Sequence, residues 1–190
     1  MISDPHVIEL CKRLLDQWEG DDIPYENRKG YNIGALIVSP ENKVVAFERN
    51  AVNVNANVTE HAELNVIRNY LRKSGRYDLE DHIIYTSLEP CIMCVGAMIM
   101  SNVKQVYYCQ HDYNFANAAE RLRIDSRAIK GYPPYPRTVS IAPANSDIVK
   151  KLDEAHAAYL QKTGDDIMAR FLASEGARMV YEDFVRYLKL

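Results

Sequence analysis

At 190 residues the chain is long enough for one domain with a sizeable core and an appended element. Its hydrophobic fraction of 47% and charged fraction of 26% are those of a soluble globular protein, and no apolar run is long enough to cross a membrane. A net charge of −3 excludes a global basic field for a polyanion, though not a local basic patch, and MISDPHVIELCKRLL lacks the basic-then-apolar order of an export signal, so the expected compartment is the cytoplasm.

In chain order, Val7, Leu10, Cys11, Leu14, Leu15 and Trp18 recur at helical spacing and predict a helix over 5–18. The polar stretch 19–31, with Gly20, Pro24 and Gly30, predicts a loop. Two apolar runs, 33–38 and 44–47, flank the turn signal SPENK and predict an antiparallel hairpin. The Asn-rich segment 48–59 has no helical period. Thr59 can cap a helix over 60–72. A strand is predicted at 82–87, a helix opened by Pro90 at 91–100, and a strand at 103–108. Residues 110–130 carry mixed signals, GYPPYP at 131–136 is a rigid loop, and 137–141 reads as a fifth strand. From Asp147 onward the pattern is helical, with breaks expected near Gly164 and Gly176. This order predicts an α/β domain with helices on both faces of a mixed, about five-stranded sheet. It divides the chain into a domain over 1–146 and a C-terminal helical extension over 147–190, packed on the same domain or on a partner subunit.

The four cysteines do not suggest a disulfide framework in a chain of this size. Cys11 lies among apolar residues and reads as a core residue. Cys91 and Cys94 stand at i and i+3 in the first turn of a predicted helix, which puts both sulfurs on one face and near the positive end of the helix dipole. His61 opens the preceding helix. One imidazole and two thiolates suit zinc and leave a fourth tetrahedral position open. Glu63, two residues beyond His61, can reach past that ligand, take a proton from an attacking water, and deliver it to a ring nitrogen and then to a departing amine. Two other readings stand beside this one. Cys109 or His111 can supply a fourth ligand and close a structural zinc site. A redox pair at Cys91 and Cys94 leaves His61 and Glu63 without a purpose.

His61-Ala-Glu63 followed by Pro90-Cys91-Ile-Met-Cys94 matches the H-x-E…P-C-x-x-C signature of zinc nucleobase deaminases. From Ile33 to about Val106 the sequence resembles the cytidine and deoxycytidylate deaminase superfamily. Its segment TSLEPCIMCVGAMIMS is most similar to the branch of tRNA adenosine deaminases, guanine deaminases and fungal-type cytosine deaminases. The resemblance implies a three-layer α/β/α fold, Zn²⁺ held by His61, Cys91 and Cys94, and Glu63 as the proton shuttle. It also implies a substrate contact from Asn50, whose structural alternative is a turn residue after a strand. The N–H groups of Cys91 and Ile92 are candidates for polarising the carbonyl that forms.

The substrate is less defined. In guanine-type relatives an acidic residue after the last common strand is expected to read the base. A rough alignment places Asn114 there, with Asp112 and Glu120 as alternatives. Phe115, Tyr132 and Tyr135 can stack on a ring or serve packing. Arg121, Arg123, Arg127 and Lys130 can face a phosphate backbone or simply solvent. The favoured partner is a small nucleobase or nucleoside, the alternative is tRNA adenosine, and no membrane partner is expected. A catalytically silent deaminase-like subunit is a third reading, which the presence of Glu63 opposes. Val180, Phe184, Tyr187 and Leu188 form an apolar stripe for core packing or a dimer contact, and Tyr187 is a candidate for a neighbour's pocket. The resemblance implies a homodimer.

Overall fold

The computed structural model describes residues 4–54, 56–115, 117–122, 139–165 and 167–186. Helix α1 (Pro5–Leu15) begins where Asp4 accepts the His6 N–H and Pro5 supplies a preset φ. Strands β1 (Gly34–Val38) and β2 (Val44–Arg49) form the antiparallel hairpin. Helix α2 (Ala62–Ser74) leads to β3 (Ile83–Thr86), α3 (Ile92–Met100) and β4 (Gln105–Tyr108). A short α4 (Ala118–Arg121) and β5 (Ser140–Pro143) follow. The chain then runs through α5 (Ser146–Thr163), α6 (Met168–Leu172) and α7 (Glu175–Arg186).

The sheet order is β2-β1-β3-β4-β5. β1 is antiparallel to β2 and β3, whereas β3, β4 and β5 are mutually parallel. Alternation along β1 builds two cores, because successive strand residues point to opposite faces. Ala35 and Ile37 face a cluster with Val66, Val95, Met98 and Phe171, from α2, α3 and α6. Leu36 and Val38 face a cluster with Leu10, Leu14, Ile148, Leu152 and Tyr181, from α1, α5 and α7. The fold is therefore the three-layer α/β/α arrangement around a mixed five-stranded sheet. No described helix is long and apolar enough to cross a membrane.

Helix boundaries agree only in part with the sequence expectation. Helix α2 starts at Ala62 rather than 60, with His61 as its N-cap. The Thr59 hydroxyl and N–H both donate to Asn57 Oδ1 in a separate turn, so Thr59 belongs to that turn and lies before the helix. The break at Gly164 occurs as expected, with the glycine at φ 66 ending α5. The break expected near Gly176 falls at 173–174, between α6 and α7, and Gly176 itself lies in the first turn of α7, where backbone N–H groups need no helical partner.

Candidate active site

Two helix N-termini meet at one point. His61 is the N-cap of α2 and Cys91 the N-cap of α3, both in extended conformation and neither using its side chain to cap its own helix. Their side chains are thus available to each other. Glu63 and Cys94 stand in the first turns of the same two helices, where the dipoles favour negative carboxylate and sulfur.

Cys91 Sγ lies 3.6 Å from His61 Nδ1 and 3.7 Å from Cys94 Sγ, and Cys94 Sγ lies 3.6 Å from His61 Nδ1. The contact with Cys94, joined by that with His61, holds the Cys91 thiol down at about 4. The same contact, together with burial, pushes Cys94 up. His61 is raised, chiefly by its hydrogen bond with Cys91. Glu63 is buried, and burial raises its pKa. Its Oε1 accepts from Thr86 Oγ1 at 3.2 Å and its Oε2 sits 3.6 Å from Cys94 Sγ.

A cavity of about 350 Å³ opens beside this cluster. One wall is Asn50, His61, Glu63 and Cys91. The facing wall is Asp112, Asn114 and Phe115 from the loop after β4, with Ile167, Met168 and Ala169 at the start of α6. Several long-range contacts hold that second wall in place. Glu89 accepts the N–H of Asp112 at 3.3 Å and of Asn117 at 3.0 Å, one on each carboxylate oxygen. Asp112 Oδ1 accepts the N–H groups of Asn114 and Phe115, and burial raises its pKa. His111 pairs with Asp153 of α5 at 2.7 Å, and Tyr113 stacks on His156, whose ring meets Phe171 of α6. The amide of Asn32 reaches Leu172 O at 3.0 Å and Arg28 reaches Ala169 O at 3.4 Å.

Residues 22–110 match the family described as the cytidine and deoxycytidylate deaminase zinc-binding region. Over 89 residues the chain is 38% identical to guanine deaminase of Bacillus subtilis (strain 168), covering 47% of this chain and 56% of that protein. It thus spans little more than half the length of that relative. Over 113 residues it is 33% identical to the tRNA-specific adenosine deaminase of Agrobacterium fabrum, covering 59% of this chain and 68% of that one. The chain belongs to the cytidine and deoxycytidylate deaminase family. A solved structure from a study of A-to-I editing by tRNA deaminases at the wobble position superposes with a TM-score of 0.54 at 26% identity. That superposition covers 73% of this chain and 98% of the other.

The donor set fits the zinc that this deaminase family binds. With Zn–S of about 2.3 Å and Zn–N of about 2.0–2.1 Å, a tetrahedron has S···S edges of about 3.8 Å and S···N edges of about 3.6 Å. The observed separations of 3.7 and 3.6 Å are those edges. Among the described residues, His61, Cys91 and Cys94 are the cluster that can hold a metal. Neither candidate for closing the site stands near it. Cys109 belongs to the core on the α1 side of the sheet, and His111 is paired with Asp153.

The structure therefore brings His61, Glu63, Cys91, Asn50 and Asn114 to one cavity, with Asp112 and Phe115, and sets Cys94 behind its wall in contact with His61, Glu63 and Cys91. Glu120 does not line it. Arg123, Arg127, Lys130, Tyr132, Tyr135, Tyr187 and Leu188 lie outside the described residues. Sequence reasoning missed Tyr31, Glu89 and the 167–169 wall. Glu89 had a signal, its place immediately before Pro90-Cys91. Residues 167–169 carry none, because contacts some 140 positions apart bring them in.

Proposed function

We propose that the chain is a zinc-dependent hydrolytic deaminase that acts on an amino-substituted nucleobase or nucleoside and releases ammonia. The observation that carries this reading is a three-donor cluster at tetrahedral spacing, with a buried carboxylate beside it, opening on a cavity of nucleobase size. His61, Cys91 and Cys94 would hold the zinc. When bound, zinc supplies the Lewis acidity that makes water a nucleophile at neutral pH.

The remaining work falls to the protein. Water oxygen bonds to the amino-bearing ring carbon while Glu63 takes one proton from it and passes that proton to the ring nitrogen. Glu63 then moves a second proton to the amine, the C–N bond breaks, and ammonia leaves as the carbonyl forms. Burial raises the pKa of Glu63, which suits a group that must both accept and return a proton. The N–H groups of Cys91 and Ile92, at the start of α3, would favour the developing oxygen charge. Asn50 and Asn114 hold the ring edge. The apolar side chains of Ile33, Leu88, Ile92, Phe115 and Met168 grip its faces and exclude water.

The similarity to tRNA-specific adenosine deaminases supports a second reading, in which the adenosine belongs to tRNA. Ammonia release from guanine, cytosine, adenine, their nucleosides and an unmodified tRNA transcript separates the two. Turnover of tRNA alone transfers the function to the second reading, and bound zinc with no turnover of any substrate points to a silent subunit. We also propose a homodimer, with 147–190 as its helical extension. Ile92 and Met100, 50% and 59% exposed on α3, offer an apolar contact face. Light scattering that finds a stable monomer at micromolar concentration removes that assignment.

A further inference from the structure

Thr86 ends β3 and Ser87 follows it, and these two buried hydroxyls have different tasks. Ser87 Oγ accepts the Gly34 N–H at 3.1 Å and so extends the pairing of β3 with β1. Thr86 lies on the same face of the sheet as Ile84, two residues before it, towards α2 and α3. A hydroxyl with 0% exposure there costs stability unless it finds a partner. Its partner is Glu63, whose Oε1 accepts from Thr86 Oγ1 at 3.2 Å.

Little around Thr86 can move. Strand β3 lies between β1 and β4, and residue 86 pairs with Ala35 on one side and Tyr108 on the other. Its carbonyl accepts the Cys109 N–H at 3.1 Å. A β-branched side chain on such a strand has few rotamers. Glu63 is different, because several side-chain torsions separate its carboxylate from the helix and the last of them is broad. A rigid donor thus holds one oxygen of a flexible acid. The other oxygen, Oε2, lies on the side of Cys94, 3.6 Å from its sulfur.

We infer that Thr86 is a positioning residue for the proton transfer: it anchors Oε1 of Glu63 and leaves Oε2 to take and return the proton. Such a transfer needs donor and acceptor within about 2.6–3.2 Å of each other, and an error of about 1 Å in the geometry costs about 10²-fold in rate. Thr86 touches no substrate and acts through the carboxylate alone. The same anchor serves both halves of the reaction, since Oε1 keeps its donor whether Oε2 is bare or protonated. The inference rests on the deaminase reading and deepens it.

The test removes the hydroxyl and keeps the shape. Zinc-loaded wild type, Thr86→Val and Thr86→Ser are compared on the substrate that is turned over. Thr86→Val should lower kcat by about 10- to 100-fold and change KM by less than about twofold, with zinc at wild-type stoichiometry. Thr86→Ser restores the donor and should recover kcat to within about threefold of wild type. A double-mutant cycle separates positioning from packing. In Glu63→Gln, whose amide cannot relay the proton, adding Thr86→Val should cost less than about threefold further. A crystal structure of Thr86→Val should show the Glu63 carboxylate turned from its wild-type position while His61, Cys91 and Cys94 stay in place. If Thr86→Val does not fold, Thr86→Ala removes the same hydroxyl, with the serine variant as its control. Full activity in Thr86→Val, loss of zinc with the hydroxyl, or an equal loss on top of Glu63→Gln each overturns the inference. No ammonia from any base or nucleoside in zinc-loaded wild type sinks the deaminase reading instead.

Discussion

The two walls of the cavity are built by different means. His61, Glu63, Cys91 and Cys94 stand at the starts of two helices, each within three residues of a helix boundary. Backbone geometry alone aims them at a common point once β1 and β3 pair and bring the two helix starts together. The facing wall has no such local rule. Asp112, Asn114, Phe115 and 167–169 reach the cavity only because Glu89, Asp153, His156 and Asn32 hold distant segments against one another. Reaction chemistry is thus carried by helix caps, and the shape that chooses a substrate is carried by tertiary contacts. The first wall can be damaged one atom at a time. The second should yield in degrees.

The largest effect is expected on the first wall. Glu63→Gln keeps a side chain of the same shape beside Cys94 but cannot carry the proton. Metal analysis should find zinc at wild-type stoichiometry, and kcat should fall by about 10³-fold or more, at the upper end of what general acid–base catalysis contributes. Activity within tenfold of wild type would show that the proton travels by another route.

The first wall was also the legible one. A metal site restricts residue type, spacing and polarity within a few positions, so H-x-E and P-C-x-x-C expose it in one dimension. The alternation of apolar runs likewise conveyed the five strands and the mixed sheet. Boundaries set by local competition were harder to read. Thr59 is a cap residue by type, but it belongs to the turn it shares with Asn57, and His61 holds the cap position. Asn114 was readable only as one of three residues in a loop of mixed signals, whereas the fold puts both Asn114 and Asp112 on the cavity and leaves Glu120 off it. Residues 167–169 follow a helix break in a region with no motif, and nothing local announces that Arg28 will bind the Ala169 carbonyl and Asn32 that of Leu172.

Next in size is the support of the second wall. Phe171 is 1% exposed, with its ring 4.7 Å from His156 and 5.7 Å from Tyr159. Phe171→Ala should cost about 3–5 kcal/mol, the usual range for a buried aromatic truncated to alanine. Thermal unfolding should drop by about 6–20 °C for a chain of this length. Below that temperature zinc should remain bound while KM rises. If zinc is lost together with stability, the two walls are one cooperative unit and the contrast between them fails.

A milder break is Glu89→Ala, which leaves the Asp112 and Asn117 N–H groups without their carboxylate. Charge-assisted bonds of this kind contribute about 1.5–3 kcal/mol each when intact. The loop should loosen, and kcat/KM should fall about 10–100-fold through KM, with zinc retained. Because Glu89 precedes Pro90 and Cys91, a fall in zinc affinity would instead assign it to the metal loop.

The smallest effect is expected at Ile167, which is 51% exposed on the rim of the second wall. It contributes little to the core, so Ile167→Ala should change stability by no more than about 0.5 kcal/mol. Its consequence should lie in selection. Removing three carbons from the rim weakens the grip on a free base, because one methylene in an apolar pocket is worth about 1–3 kcal/mol when fully enclosed and less at a half-open edge. The same removal makes room for a bulkier substrate. The ratio of kcat/KM for nucleoside to that for free base should therefore rise by about three- to tenfold, with Tm unchanged. An unchanged ratio would take residue 167 out of the substrate wall and leave Met168, Ala169 and the loop after β4 as its boundary on that side.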